Sequence, residues 1–213
     1  MKKHSFFVIV VITLAIGIGI WRETHVSTTT QAASQNEPAL LGGTALPSTR
    51  ALPAFELTDH HNHPFTNENL NNRWSFVFFG YTHCPELCPK SLGALSQLSQ
   101  RIGPNPYVQF LFVSITPDLD TPERLKSFFE KEDYKLTHFI GLTGDEKTIK
   151  SLASTLGIYI AEEAHIDLEH LGHSGAVLLV NPKGELAAVF TSAENPHRIA
   201  HDFREMMTYF ARG

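Results

Sequence analysis

Two uninterrupted apolar runs constrain this chain more than any other feature. SFVFFGY (75–81) and VQFLFVSIT (108–116) show no polar alternation, so each reads as a strand buried on both faces, with cover needed on both sides of its sheet. Between them, SLGALSQLSQRI spaces its leucines at a helical period. A strand, a helix and a second two-faced strand make a βαβ unit, which commits the chain to an α/β architecture.

The flanking segments complete the order. AFELTD (54–59) alternates with period two, and His60, His61, Asn62, His63 and Pro64 supply a turn. Thr121-Pro122 reads as N-cap and first residue of a helix running to about Lys131. Thr143 and Glu146 have capping-box spacing ahead of KTIKSLASTLG. GAVLLVNPKGELAAVFTS is a hairpin about Pro182-Lys183-Gly184, and Asn195-Pro196 opens a last helix to about Phe210. The order β-β-α-β-α-(β)-α-β-β-α predicts an α/β sandwich with a mixed central sheet. Its β-α-β start and β-β-α end are the parts of a thioredoxin-like domain.

The N-terminus has a different character. After Met1-Lys2-Lys3 the chain is apolar from Phe6 to Trp21, with no acidic residue before Glu23 and with Arg22 closing the run. Sixteen helical residues rise about 24 Å, short of the roughly 30 Å hydrocarbon core, and Lys2, Lys3 and Arg22 can snorkel to the headgroups. Residues 1–22 are therefore expected to be an uncleaved membrane anchor. A cleaved signal peptide is the alternative, but the nearest small-x-small site, Thr30-Gln31-Ala32, lies far beyond the apolar run. The positive flank keeps the N-terminus cytoplasmic, which places one anchor in the inner (cytoplasmic) membrane and exports the rest, to the periplasm in a Gram-negative cell.

Residues 23–39 read as a flexible tether, and the same Thr, Ser, Ala, Gly and Pro character persists to Pro53 with too few regularly spaced apolar residues to build an element. Residues 40–213 are then one domain of ordinary size. The chain holds 17 Lys+Arg and 22 Asp+Glu, and Lys2, Lys3 and Arg22 belong to the anchor, so residues 23–213 carry 14 against 22, a formal charge of −8. That balance excludes a nucleic-acid partner. No extra apolar face is evident, and a monomer is expected.

The two cysteines, Cys84 and Cys88, lie in FFGYTHCPELCPK, after one apolar strand and before the leucine-bearing helix. This is the carboxyl end of a central strand, where open α/β sheets place their sites. Pro89 sets the helix start at about Cys88 to Pro89, which puts both sulfurs near the positive end of the helix dipole and favours thiolate, and His83 adds to the effect if protonated. Three uses remain open. A structural disulfide would close a loop of only three intervening residues and gain little chain entropy. A redox pair on this fold normally has C-x-x-C spacing, and a peroxidatic cysteine has T-x-x-C where Thr82 and Cys84 give T-x-C. Two thiolates with one imidazole would suit copper, Cu(I) above all and also Cu(II). Among the histidines, His60, His61 and His63 read as solvated turn residues, and His138, His165, His197 and His201 as surface residues. His173 stands just before the terminal hairpin, on the approach to its first strand.

FFGYTHCPELCPKSL, VSITPDLDTPERL, GLTGDEKTI and GHSGAVLLVNPKGEL together resemble the Sco/SenC family of membrane-anchored copper proteins, which serve assembly of the binuclear CuA site of cytochrome c oxidase. The resemblance runs from about Leu40 to the C-terminus and includes FELTDHHNHPFT as a leading hairpin. It implies that Cys84, Cys88 and His173, 85 positions beyond Cys88, bind copper. The implied partner is the copper-receiving oxidase subunit or another copper or thiol carrier. The implied function is copper delivery. The alternative is a thiol-disulfide reductase in which Cys84 and Cys88 are the redox-active pair that keeps the oxidase cysteines reduced. The chain departs from the family pattern at Glu86, where Asp is usual, at Thr116, where an acid is usual, and at Gly172, where the residue before the ligand His is commonly acidic. His170 is a second nearby imidazole, and only His173 has the family's H-[ST] context.

Overall fold

The computed structural model of the chain describes residues 38–84, 87–130, 136, 138–160, 175–193 and 195–212, with the side chains of 87 and 88 outside that description. The expected anchor (1–22) and nearly all of the tether lie outside it. Among the described residues no helix is long and apolar enough to cross a membrane. Residues 39–213 form one compact unit.

The strands are β1 (Gly43–Ala51), β2 (Glu56–Asp59), β3 (Pro64–Thr66), β4 (Trp74–Gly80), β5 (Val108–Ser114), β6 (Phe139–Thr143), β7 (Val177–Val180) and β8 (Glu185–Phe190). The α-helices are α1 (Leu87–Ile102), α2 (Pro122–Phe129), α3 (Glu146–Thr155) and α4 (Pro196–Arg212). All eight strands form one sheet in the order β1-β8-β7-β4-β5-β6-β2-β3. β4, β5 and β6 are parallel, and every other pairing is antiparallel, which is the mixed sheet expected from the order of elements.

The two apolar runs are the centre of this sheet. Every residue of β4 is buried, and so is all of β5 after Val108. Register puts Phe76 opposite Phe110 and Phe110 opposite Phe139, so three strands present an aromatic row on one face. Phe76 and Phe110 stack with centroids 5.0 Å apart, and Phe203 of α4 meets Phe76 edge-on at 5.1 Å. On the same face Phe112 contacts Phe128 and Phe129 of α2. Val77, Phe79, Leu111 and Val113 point the other way and are also buried, which is why neither strand shows polar alternation.

Four boundaries differ from the sequence reading. Gly43–Ala51, read as part of a featureless stretch, is strand β1, paired antiparallel with β8 at the edge of the sheet. It is held by backbone bonds rather than by a buried face: five of its nine residues are exposed. Its register shifts between Ala45 and Arg50, where Pro47 offers no N–H, a residue tolerated only at an edge or a bulge. Gly43 is required by close approach, since a Cβ there would lie 2.5 Å from the Phe190 ring. The strand is anchored by Asp202 of α4, 0 % exposed, whose carboxylate accepts the N–H groups of Leu41, Gly42 and Gly43 at 2.8, 2.8 and 3.0 Å. Asp202→Ala is expected to cost about 2–4 kcal/mol, because three charge-assisted bonds are lost together. Amide exchange at Gly42 to Ala45 should accelerate, and unchanged exchange there would refute the anchoring role.

The Thr143/Glu146 capping box does not form, because Thr143 ends β6. Asp145 caps α3 instead, accepting from the Thr148 N–H. Thr121 caps α2 as predicted, its hydroxyl accepting from the Arg124 N–H, and the helix ends at Phe129 rather than near Lys131, which lies outside the described residues. α1 starts at Leu87, one residue before the expected boundary, so Pro89 sits in its first turn, where N–H groups have no intrahelical partner to lose. His60 is not a simple solvated turn residue. It is half-buried, its ring meets Phe129 edge-on at 5.4 Å, and its Nδ1 accepts the Gly141 N–H at 3.1 Å. Burial, with the neighbouring His61 charge, lowers its pKa.

Candidate metal centre

The chain leaves the central sheet at Gly80. Tyr81 is buried, the Cys84 N–H bonds to the Tyr81 carbonyl at 3.3 Å, and Cys84 is 7 % exposed. Cys88 lies in the first turn of α1. One cysteine therefore ends the turn above β4, and the backbone of the other sits among the N–H groups that open a helix of sixteen residues. The dipole of that helix favours negative charge at this end.

A buried carboxylate fixes the turn. Asp120, 0 % exposed, accepts the Thr82 N–H at 3.0 Å, the Thr82 hydroxyl at 2.6 Å and the Ser114 hydroxyl at 2.7 Å. The Thr116 hydroxyl adds a longer bond of 3.3 Å. One side chain thus ties the residue two before Cys84 to the end of β5 and to the loop leading into α2. The Gly80 carbonyl joins the same two segments by accepting the Ile115 N–H at 2.9 Å. Because Thr116 donates to Asp120, it puts a hydroxyl where the resemblance leads one to expect a second acid. Two carboxylates in that space would repel, and a hydroxyl removes the conflict.

Arg124, in the first turn of α2, closes the outer side. Its Nε donates to the Thr82 hydroxyl at 3.0 Å and lies 3.8 Å from Asp120, and an Nη contacts Nε2 of His83. A guanidinium only donates, so Nε2 of His83 accepts, while Nδ1 faces the Thr82 oxygen at 3.3 Å. Nδ1 also lies 3.9 Å from an Asp120 oxygen. Arg124 thus stands as a positive group beside the cysteine turn, in contact with His83. The sequence reading named Asp120 only as part of a motif and passed over Arg124. The signal available was their spacing of four residues across the Thr121-Pro122 helix start, which brings them to one side of the first turn.

His173, with His165, His170, Gly172 and Glu86, lies outside the described residues. The nearest described part of that chain is Gly175, and β7 begins at Val177, which pairs with Phe78 near the top of β4. Of the other histidines, His138 and His197 are exposed, with His197 against Arg101 at 2.8 Å, and His201 is half-buried beside Asp202. Among the described residues no three His, Cys, Asp or Glu side chains converge on one point.

Comparison with known proteins agrees with the fold. A protein of Stutzerimonas stutzeri named for copper binding is 36% identical over 144 residues, covering 66% of this chain and 69% of that one. The mitochondrial protein SCO2 of Saccharomyces cerevisiae is 32% identical over 136 residues, covering 62% of this chain but 44% of the yeast protein, so the likeness spans less than half of that relative. The structure of Bradyrhizobium japonicum ScoI with copper bound superposes with a TM-score of 0.63 at 28% identity, covering 72% of this chain and 98% of that one. The SCO1/SenC family model matches residues 44–208, most of the chain and all but the outermost parts of the compact unit. The chain belongs to the SCO1/SenC family.

Proposed function

We propose that this protein is a membrane-anchored copper carrier. Its exported domain holds copper through Cys84, Cys88 and His173 and passes it to the CuA-bearing subunit of cytochrome c oxidase. The observation that carries the reading is the braced turn at the top of β4: Asp120 fixes the backbone beside one cysteine, and α1 offers its N-terminal turn to the other. Family membership and a copper-bound relative of the same fold support copper as the cargo. Two soft thiolates and one imidazole satisfy Cu(I) with low coordination and leave room for an incoming thiolate of the acceptor, as delivery requires. For His173 the support is its sequence context, together with the antiparallel register that starts β7 alongside the end of β4.

A second reading rests on the position of Cys88 in the first turn of α1. A thiolate favoured there can attack, or leave from, a disulfide of the oxidase subunit through a mixed disulfide, the same two cysteines ending oxidised and the partner reduced. Anaerobic copper titration of the reduced full chain in detergent separates the two. The carrier reading expects one copper per chain, with two sulfur and one nitrogen ligands at the copper X-ray edge, and loss of the nitrogen in His173→Ala while the dithiol stays redox-active. No stoichiometric copper on the reduced protein would leave the reductase.

A further inference from the structure

The turn joining β2 and β3 carries three histidines in four residues, and its backbone is built more firmly than a solvated turn needs. Asp59 accepts the N–H groups of both His61 and His63 through one oxygen, at 2.8 and 2.9 Å. The Asp59 N–H returns to the His63 carbonyl at 2.8 Å, and Asn62 takes the left-handed conformation, with φ 64°, that closes the turn. His61 and His63 are therefore held on a fixed frame with both rings exposed. Their centroids are 6.3 Å apart. An imidazole nitrogen binds a transition metal at about 2.0–2.1 Å, so two rings sharing one ion have centroids within roughly 6.5 Å of each other.

The three histidines are not equivalent. Nδ1 of His60 accepts the Gly141 N–H, which places the ring proton on Nε2, so neither nitrogen offers a lone pair to a metal. Nδ1 of His63 faces the second oxygen of Asp59 at 3.4 Å. A proton on that Nδ1 leaves Nε2 as the outward lone pair, the carboxylate–histidine arrangement that orients metal ligands. Among the described residues His61 makes no hydrogen bond through either ring nitrogen, and its ring lies between its neighbours, with centroids 4.1 Å from His60 and 6.3 Å from His63. The turn is also held against α2, where Asn62 donates to Glu123 at 3.0 Å. The residue after Glu123 is Arg124, which braces the cysteine turn, so both features share the first turn of one helix.

The geometry points to a second metal site on this domain, in which His61 and His63 hold one Cu(II) ion, completed by water. Imidazole and water suit divalent copper better than any other divalent first-row ion, and the surrounding charge, with Asp59 and Glu123 beside the turn and −8 over residues 23–213, favours a cation. Two protein ligands make an open, exchangeable site rather than a closed structural one. The site does not require that the cysteines carry copper.

The test is Cu(II) titration of the full chain in detergent, followed by electron paramagnetic resonance. It is run in two backgrounds: the Cys84→Ser/Cys88→Ser variant, and the wild-type chain oxidised to its disulfide, which guards against misfolding of the double variant. One Cu(II) per chain with coupling to two nitrogens is expected in both. His61→Asn and His63→Asn should each remove the two-nitrogen signal, Asp59→Asn should weaken binding about tenfold, and His60→Asn, which keeps an acceptor for Gly141, should leave it intact. No nitrogen-coupled Cu(II) in either background, or the same titration in His61→Asn and His63→Asn as in their parent, would overturn the assignment.

Discussion

Cys84→Ser and Cys88→Ser are each expected to abolish copper retention against a Cu(I) chelator, with affinity falling by at least about a hundredfold. Loss of an outer partner of a metal ligand already costs about 10–100-fold, and loss of a soft ligand itself costs more. Serine keeps the size of the side chain but supplies neither a thiolate for Cu(I) nor a sulfur for exchange, so both proposed activities should fail together. The two variants differ in side effects. Cys84 is 7 % exposed and packs in the core cluster, so its hydroxyl replacement must find a buried partner, whereas Cys88 belongs to the first turn of α1. Cytochrome c oxidase assembly in cells carrying each variant is the functional readout. Full assembly with either variant would sink the carrier and the reductase alike.

The second large effect is expected at Asp120. Asp120→Ala leaves the Thr82 N–H and the hydroxyls of Thr82, Ser114 and Thr116 without their shared acceptor in a space that is 0 % exposed. Removing a buried charge from its partners costs on the order of 3–5 kcal/mol, which for a domain of this size lowers Tm by roughly 10 °C. Asp120→Asn retains one oxygen in the same place and should recover part of that stability. It also loses the charge that Arg124 faces, so the turn before Cys84 is expected to loosen and alkylation of Cys84 to quicken even where the fold is intact. Denaturant unfolding and timed alkylation of the two variants read these effects separately. Asp120→Ala unfolding within about 1 kcal/mol of wild type would show that the turn does not depend on this carboxylate.

Much of this protein was legible because its central elements obey simple periodicities. The two-faced strands β4 and β5, the leucine-spaced α1 between them, the Thr121 cap with Pro122, and the Pro182-Lys183-Gly184 hairpin each follow from local pattern, since burial on both faces and helix capping leave marks within a few residues. The cysteine pair could be placed after a strand and before a helix for the same reason. Where reading failed, the cause was tertiary. Nothing in GTALPSTRA announces a strand, because β1 is held by backbone pairing to β8 and by the reach of Asp202 across 161 residues to Leu41. The Thr143 cap was wrong because β6 claims that residue for its ladder with β2, leaving Asp145 to start the helix. His60 was read as solvated because its acceptor role depends on Gly141, 81 residues away.

The sequence by itself determined the α/β order from β4 to α4, the position of Cys84 and Cys88 at the carboxyl end of the central strand, and the acidic balance of the domain. These rest on residue type and short-range spacing alone. Only the tertiary structure decided that Asp120, Thr82, Ser114 and Thr116 form one buried cluster, and that Arg124 stands beside the cysteine turn. A buried carboxylate looks the same in sequence as an exposed one. Its role is set by which donors the fold brings within about 3 Å, and those come from segments that only long-range packing joins.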